Sequence, residues 1–198
     1  MIFIVIAYKV SHTTRGLVMS NRNILKPEII QYCWVVPSLE SAAQIWFDEL
    51  GVGPFIVMRN ISITEPIYRG KAGQAEFSVA LAMNGGVQIE LIEQHDDVPS
   101  AYRDTVTKGT TAFHHVGILD EDYDKAIDYY TARGNEIAQS GTFGDVRYAY
   151  VDTSATLGHM IELIEDRESI RDLFSYIDRA HDSWDKNRET LIQEMDSK

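Results

Sequence analysis

The middle of the chain is a succession of short apolar runs separated by polar turns. Residues 29–36 are rich in β-branched and aromatic side chains, which favours a strand. The next segment begins at Pro37-Ser38 and stops at Gly51, and its apolar residues recur at helical spacing: Leu39, Ala42, Ala43, Trp46 and Leu50. The pattern therefore predicts a strand followed by a helix that buries this apolar stripe.

The same order of elements recurs further along the chain. Residues 113–119 form a second β-rich run, Asp120 is a suitable N-cap, and Gly134 is a suitable stop for the helix that follows. The buried stripe of that helix is predicted to comprise Tyr123, Ala126, Ile127 and Tyr130. A shift of 84 residues (115 minus 31) superimposes Gln31 on His115, so the two segments begin alike.

Further β-rich runs follow each helix, at 54–59, 66–69, 75–83 and 86–93 in the first case and at 135–140, 145–152 and 159–165 in the second. The last runs of the two sets are nearly the same, since Gly86–Glu93 and Gly158–Glu165 agree at six of eight positions. Two copies of one supersecondary unit explain this self-similarity better than chance does. We therefore predict two βαβββ modules, with an N-terminal extension 1–27, a first module 28–93, a linker 94–112, a second module 113–166 and a helical tail 167–198.

The segments outside the predicted modules have simpler patterns. Residues 1–8 are apolar but far short of the roughly 20 residues that a membrane-spanning helix needs, and they lack a basic leader, so a strand is the favoured interpretation. Met19 opens a more polar stretch, which makes residues 1–18 a candidate extension outside the functional unit. In the tail, one or two amphipathic helices, packed on the protein itself or used in dimerisation, are predicted from the spacing of Ile170, Leu173, Phe174, Ile177, Trp184 and Leu191.

Composition narrows the range of partners. With 44% hydrophobic and 24% charged residues the chain resembles ordinary globular proteins, while its net charge of −12 opposes binding to nucleic acid or to an anionic membrane surface. The single cysteine, Cys33, can form neither a disulfide within the chain nor a cysteine-based zinc site. These features favour a cytoplasmic protein with a small-molecule ligand.

The repeated strand carries two glutamates that point in opposite directions. Side chains alternate across a strand, so Glu90 and its equivalent Glu162 lie on one face of their strands. Glu93 and Glu165 lie on the other face. A carboxylate between apolar neighbours in mid-strand is either exposed or paired, because an unpaired buried charge is costly. Recurrence at the same place in both copies favours the paired alternative.

Two further donors occupy equivalent positions on the first strands of the modules. The full set of equivalent donors is Gln31, Glu90, His115 and Glu162. If the modules pack about a pseudo-twofold axis, all four can point at one centre, where a divalent cation would offset the charge of the carboxylates. Cys33 shares the strand face of Gln31, but a small buried residue is its better interpretation.

The run Phe113-His114-His115-Val116-Gly117-Ile118 and the two Ile-Glu-Leu strands resemble the vicinal-oxygen-chelate superfamily, which includes glyoxalase I, methylmalonyl-CoA epimerase and extradiol dioxygenases. The resemblance covers about residues 28–166. It implies an α+β fold in which two βαβββ modules form a curled mixed sheet around a metal cleft. It also implies that each module gives one metal ligand from its first strand and one from its last, which assigns the metal to the four donors, with His114 facing away. A histidine commonly stands at the position of Gln31, although the set of glutamine, glutamate, histidine and glutamate is similar to that of some glyoxalase I enzymes.

The chemistry that the resemblance implies is removal of a proton next to a carbonyl or thioester, through a metal-stabilised enolate, with Glu162 or Glu90 as the base. The expected cofactor is one zinc, nickel, cobalt, manganese or magnesium ion. We therefore predict a metal-dependent isomerase, epimerase or lyase that acts on a small carbonyl or thioester substrate, with a homodimer as a possible assembly.

Alternatives stay open at this point. The first-strand motif is closer to methylmalonyl-CoA epimerase and the ligand set is closer to glyoxalase I, although no arginine cluster matches a glutathione site and the arginines near the predicted cleft loops are Arg59, Arg69 and Arg147. Extradiol ring cleavage is disfavoured, because Gln31 replaces one of the two histidines that such enzymes usually place on iron. Non-catalytic binding of a small molecule, which also occurs in the superfamily, is the other alternative, and metal content would distinguish it.

Overall fold

The structure is a computed structural model that describes residues 28–195. The interpretations given above for residues 1–27, including the strand expected at 1–8, lie outside the described residues. None of the helices between residues 28 and 195 is long and apolar enough to cross a membrane.

The elements follow the predicted order closely. The first half of the chain contains β1 (Ile29–Val35), α1 (Leu39–Leu50), β2 (Phe55–Met58), β3 (Thr64–Tyr68), β4 (Lys71–Ala72), β5 (Phe77–Asn84) and β6 (Val87–Gln94). The second half contains α2 (Ala101–Thr105), β7 (Ala112–Asp120), α3 (Tyr123–Thr131), β8 (Ile137–Phe143), β9 (Val146–Val151), α4 (Ser154–Leu157), β10 (Met160–Glu165), α5 (Glu168–Ser183), a 3-10 turn (Arg188–Thr190) and β11 (Ile192–Glu194). The division into modules, linker and tail at the predicted boundaries stays a proposal.

The strands form one mixed sheet in which the two halves have equivalent topologies. The strand order is β11-β2-β5-β6-β1-β7-β10-β9-β8-β3-β4, in which β1 lies parallel to β6 and β7 lies parallel to β10. The halves join where β1 and β7 pair antiparallel. Over the described residues the sheet curls without closing, since β11 and β4 stay at opposite ends of the strand order. The predicted α+β fold with a curled mixed sheet is confirmed.

The alternation predicted for the repeated strands is observed. Ile89 and Leu91 of β6 pack beneath α1 on the outer face of the sheet, whereas Ile92 belongs to the core on the inner face. In β10, Ile161 and Leu163 likewise pack beneath α3. The two glutamates that share the inward parity, Glu90 and Glu162, therefore point into the concave side of the sheet.

The ends of α1 and α3 show which local sequence signals set the helix boundaries. The Ser38 hydroxyl caps α1 by accepting a hydrogen bond from the Ser41 amide at 3.2 Å, and Gly51 ends the helix in the left-handed region at φ 67°. Leu50 was expected in the buried stripe but is 64% exposed in the last turn of the helix. Asp122, not Asp120, is the N-cap of α3; Asp120 ends β7 and accepts a hydrogen bond from the Asp122 amide at 2.8 Å.

The hairpin of β3 and β4 departs from the sequence expectation. By position in the chain it belongs to the first half, but β3 pairs with β8 at the far edge of the second half. Residues 59–63 must therefore pass from the β2 end of the sheet to the β8 end, and Ile61 and Ile63 of this crossing face the inner core. The sequence predicted a strand in this region, but it did not predict that this strand pairs with β8.

The tail packs on the protein itself. The helix α5 is amphipathic as predicted, and its Ile177 is buried against Ile56 and Leu81 on the inner face. Trp184 and Leu191 lie beyond the helix and pack over Gly53, where an added Cβ would be 2.7 Å from the Trp184 ring. The chain then returns as β11, which pairs parallel with β2 and was not predicted. A role of the tail in dimerisation stays a prediction.

Glu165 joins β10 to its neighbours through an ion-pair cluster on the outer face. Its carboxylate accepts hydrogen bonds from Arg147 Nη2 at 2.9 Å and from Arg167 Nη2 at 2.8 Å. These hydrogen bonds, those of Arg147 first, lower the pKa of Glu165 to about 2. The Glu165 carboxylate therefore contributes stability that is fully present above the ordinary glutamate pKa and is lost as pH falls toward 2.

We expect Glu165→Gln to lower the thermal midpoint at neutral pH by roughly 2–4 °C, since both arginines are partly exposed and their pairs are screened by solvent. The difference between wild type and variant should shrink as pH falls from about 4.5 to about 2, because the wild-type carboxylate then becomes protonated in the folded protein. Thermal melts of both proteins across this range test the assignment. A pH-independent difference would show that the cluster does not act through this charge.

Candidate metal centre

The four predicted ligands lie on four adjacent strands at the centre of the inner face. Glu90 is on β6, Gln31 on β1, His115 on β7 and Glu162 on β10, in the spatial order of those strands. In the pairing of β1 with β7, Cys33 lies opposite His115 and Gln31 lies opposite Gly117. Gly117 also lies opposite Glu162 in the pairing of β7 with β10. All four side chains are buried, with at most 8% exposure. The structure thus brings Glu90, His115 and Glu162 together and places Gln31 beside Glu90 and Glu162 in the lining of one cavity.

His115 lies between the two carboxylates. Its Nε2 atom is 3.2 Å from Glu90 Oε2 and 3.2 Å from Glu162 Oε2. One donor atom from each of these three residues lies within 4.8 Å of the others. Two atoms that each bind one ion at about 2.1 Å are roughly 3.0–3.4 Å apart in octahedral or tetrahedral coordination. The observed spacing therefore fits a shared divalent cation.

Several polar atoms at this place have no hydrogen-bond partner among the described residues. They are Gln31 Oε1, Glu90 Oε2 and His115 Nε2, and all three are buried. The Gln31 amide donates its Nε2 hydrogen to Gln88 Oε1 at 2.6 Å, which leaves its carbonyl oxygen free to bind elsewhere. An unsatisfied buried polar group costs about 1–3 kcal/mol. His115 Nε2 and Glu90 Oε2 lie 3.2 Å apart, and a metal ion would satisfy such lone-pair-bearing atoms, so the residues present fit the group that the resemblance implies.

A β-bulge places both histidines of the Phe-His-His run on the inner face. In the β1–β7 register, Cys33 lies opposite His115, but the next residue, Trp34, lies opposite Phe113. His114 therefore has no partner on β1 and is the extra residue of the bulge. Its Nδ1 is 2.8 Å from His115 Nδ1, and its ring packs against Tyr102. The expectation that His114 faces away was wrong, because it assumed strict alternation through the bulge.

His114 fixes the orientation and tautomer of His115. His114 Nε2 donates to the Ala101 carbonyl oxygen at 3.0 Å, since a carbonyl can only accept. Burial, together with the neighbouring His115 ring, lowers the pKa of His114 to about 3 and keeps it neutral. Its Nδ1 must then accept the proton on His115 Nδ1. His115 Nε2 is thereby left facing the carboxylates, which is the orientation that a hydrogen bond to the other ring nitrogen typically gives a metal-bound histidine.

The carboxylates set the proton affinities of the centre. Burial alone would lower the pKa of His115, but Glu162 and Glu90 outweigh it and raise that pKa to about 9. Burial raises the pKa of Glu162, against the opposing effects of His115 and of a hydrogen bond from Tyr150. Burial and the charge of Glu90 also raise the pKa of Cys33, which stays a small buried thiol as expected. A proton on His115 and a divalent cation are alternative counter-charges for the same two carboxylates.

Several groups around the centre were not singled out from the sequence. Gln88 holds the amide of Gln31, and the inward parity of Gln88 could have indicated it. Tyr148 and Tyr150 share the inward face of β9, and Tyr150 lies opposite Glu162 in the register. Tyr102, on the short helix α2 of the linker, has its hydroxyl 3.3 Å from that of Tyr150. No local signal in the linker indicated that Tyr102 would reach the inner face.

A cavity of about 650 Å³, counted to its open mouth, lies above the centre between the curled sheet and α5. Gln31, Glu90 and Glu162 are at its polar floor, and most of its other walls are apolar or aromatic. Within residues 28–195, no lysine or arginine lines this cavity. Its apolar walls and its few convergent polar groups are typical of small-molecule sites.

Comparison with known families agrees with this architecture. The family model described as the Glyoxalase/Bleomycin resistance protein/Dioxygenase superfamily matches residues 30–150, which is more than half of the chain. The chain belongs to that superfamily. The predicted resemblance to vicinal-oxygen-chelate proteins is thereby confirmed. Glu162 and all of α5 lie beyond the matched residues of the superfamily.

Solved structures show the same fold at low sequence identity. A hypothetical protein BH1468 from Bacillus halodurans C-125 is 14% identical, with a TM-score of 0.53, over 73% of this chain and 97% of the other. Methylmalonyl-CoA epimerase from Mycobacterium tuberculosis is 15% identical, with a TM-score of 0.51, over 78% of this chain and 97% of the epimerase. No curated protein is significantly similar to the sequence. Likenesses at this identity show the superfamily fold alone.

We expect chelator-treated protein to be stabilised by one divalent ion per chain. At a free ion concentration about 100 times the dissociation constant the gain is about 2.7 kcal/mol, which should raise the thermal midpoint by roughly 5–10 °C. The assay compares zinc, nickel, cobalt, manganese and magnesium, with elemental analysis of protein purified without chelator. His115→Ala should remove most of the shift, and Glu165→Gln, on the outer face, should retain it. No bound ion and no shift in wild type would remove the metal assignment.

Gly117 gives a second, steric test of the ligand set. An added Cβ at Gly117 would lie 2.6 Å from Gln31 Oε1 and 2.9 Å from Gln31 Cβ, so the Gln31 side chain must move. Gly117→Ala should therefore weaken metal binding by roughly tenfold, the effect of a mispositioned ligand. In a Gln31→Gly background the same change should have little further effect, because both atoms that it would displace, Oε1 and Cβ, are already absent. Additive losses in the double variant would contradict a role of Gln31 at the centre.

Proposed function

We propose that the protein is a divalent-metal-dependent isomerase or lyase that removes a proton from the carbon next to a carbonyl or thioester group. The observation that carries the proposal is the buried cluster of Glu90, His115 and Glu162, whose ligand atoms lie within 4.8 Å of one another beside a cavity that Gln31, Glu90 and Glu162 line. Gln31, Glu90, His115 and Glu162 would hold the ion. A bound divalent ion would polarise a substrate carbonyl and stabilise the negative charge that develops on its oxygen.

Glu162 is the better candidate for the base. Its pKa is raised by burial, which makes it a stronger proton acceptor than an exposed carboxylate, and it lies opposite Tyr150 of the neighbouring strand. Glu162 lines the cavity and can therefore meet a substrate directly. Glu90 lines the same floor and is the alternative base.

Other residues orient the ligands and exclude water from the site. His115 is held by His114 and the Ala101 carbonyl, so its Nε2 cannot rotate away from the carboxylates. Gln88 fixes the Gln31 amide. The apolar walls exclude water from the floor, which strengthens electrostatic interactions there.

The choice between epimerase-like and glyoxalase-like chemistry stays open in this proposal. One solved structure with the same fold is titled a methylmalonyl-CoA epimerase, which supports enolisable thioesters as trial substrates. An extradiol-type dioxygenase is the second candidate and is disfavoured, because only one histidine, His115, belongs to the four-residue ligand set. A non-catalytic binding protein would bind small molecules without exchanging their protons.

The test of the proposal is Glu162→Gln in a proton-exchange assay. Exchange of the proton beside the carbonyl of trial thioesters and hemithioacetals into heavy water, followed by NMR, reports the first chemical step without a known product. Glutamine keeps an oxygen donor but removes the charge, so metal should be partly retained while exchange falls by about 10²–10⁴.

The matched control is Glu165→Gln, the same chemical change three residues away on the outer face of β10. It should exchange at the wild-type rate when assayed well below its thermal midpoint. If Glu162→Gln exchanges as fast as wild type, the base is Glu90 and the assignment of Glu162 is wrong.

A further inference from the structure

The walls of the cavity indicate what kind of molecule would occupy it. Above the polar floor the lining is apolar and aromatic, including Phe77, Tyr148 and Phe143 from the sheet and Leu173 and Phe174 from α5. Apolar side chains of this kind bind apolar surface by burial and offer few hydrogen bonds. A ligand that matches these walls must itself be mostly apolar.

The charges around the cavity oppose an anionic ligand. The three arginines that were noted near the predicted cleft are each engaged by carboxylates: Arg59 by Glu40 and Glu194, Arg69 by Asp104, Glu136 and Asp152, and Arg147 by Asp124 and Glu165. None of them lines the cavity. The two floor carboxylates would be neutralised by one divalent ion, leaving a loaded site with no net charge. A phosphate or carboxylate placed between the apolar walls would have no counter-charge, which costs several kcal/mol.

The helix α5 closes the side of the cavity that faces away from the sheet. Ile170, Leu173 and Phe174 line the cavity from this helix, and Ile177 is buried against the sheet next to it. The far end is anchored by Trp184 against Phe47 and by the pairing of β11 with β2. The part of a ligand that reaches the floor must therefore fit between this anchored helix and the sheet.

We infer that the site takes a small, uncharged, largely apolar carbonyl compound seated beneath α5, rather than a coenzyme A thioester or another polyanionic conjugate. This inference rests on the proposed function, because it assumes the divalent ion at the floor. Phe174 is a specificity-determining residue in this arrangement, since its ring would cover the apolar side of the ligand.

The test uses three acetyl compounds whose methyl protons exchange by the same chemistry. The neutral probe is 4-methylacetophenone, and its anionic match is 4-acetylbenzoate, in which a distal carboxylate replaces the ring methyl group. The third probe is acetyl-CoA. Dissociation constants are measured by calorimetry on metal-loaded full-length protein, and proton exchange in heavy water is measured separately by NMR.

The neutral probe should bind at least tenfold more tightly than 4-acetylbenzoate or acetyl-CoA. Phe174→Ala should weaken binding of the neutral probe by roughly tenfold through lost apolar contact. Tyr176→Ala, on the same helix but 41% exposed, is the control and should leave binding unchanged. Thermal melts of both variants show that the fold is retained.

Tighter binding of either anionic probe, binding of none of the three, or unchanged binding in Phe174→Ala would overturn the inference. Failure of the proposed function gives a different pattern. If 4-methylacetophenone binds as expected but no probe exchanges its protons, the ligand class stands and the isomerase proposal fails. If only acetyl-CoA binds and exchanges, the proposed function stands and the ligand class is wrong.

Discussion

Burial of two carboxylates beside one imidazole is the constraint on which the inner face of the sheet depends. Glu90 and Glu162 are each 8% exposed and flank a fully buried His115. Two such charges are tolerated in a protein interior only when a counter-charge lies between them. The central pairing of β1 with β7 provides this arrangement, since it leaves β6 and β10, the strands of Glu90 and Glu162, as the next strands on either side. The absence of a side chain at Gly117 and the bulge at His114 then position Gln31 and His115 around the carboxylates.

Much of this architecture could be predicted because the sequence repeats itself. The near-identity of Gly86–Glu93 and Gly158–Glu165 identified two equivalent strands, and strict alternation assigned Glu90 and Glu162 to the inner face. A repeated unit supplies its own internal comparison, so a weak signal at one position is supported by the same signal at the other. The boundaries of α1 followed from local rules, namely the Ser38 cap and the Gly51 stop.

The remaining features could not be predicted, because they depend on contacts between distant parts of the chain. The bulge at His114 arises from the register between β1 and β7, which no local pattern specifies. The carbonyl of Ala101 lies in a segment that composition alone assigned to a linker, yet it fixes His114. The pairing of β3 with β8 joins residues whose sequences carry no sign of each other. Each of these features belongs to tertiary structure, and two of them shape the candidate centre directly.

The two edge strands of the sheet affect how readily the protein pairs with other chains. Between residues 28 and 195 the strands form an open sheet of eleven strands with two edges, and an unpaired edge is a template on which another chain can add a strand. Here the edges are β4, with two residues, and β11, with three, and they include Lys71 and Glu194. Such short, charged edges offer few consecutive free backbone groups. A fold that opens on one side to receive a ligand is in this way protected against edge-to-edge aggregation.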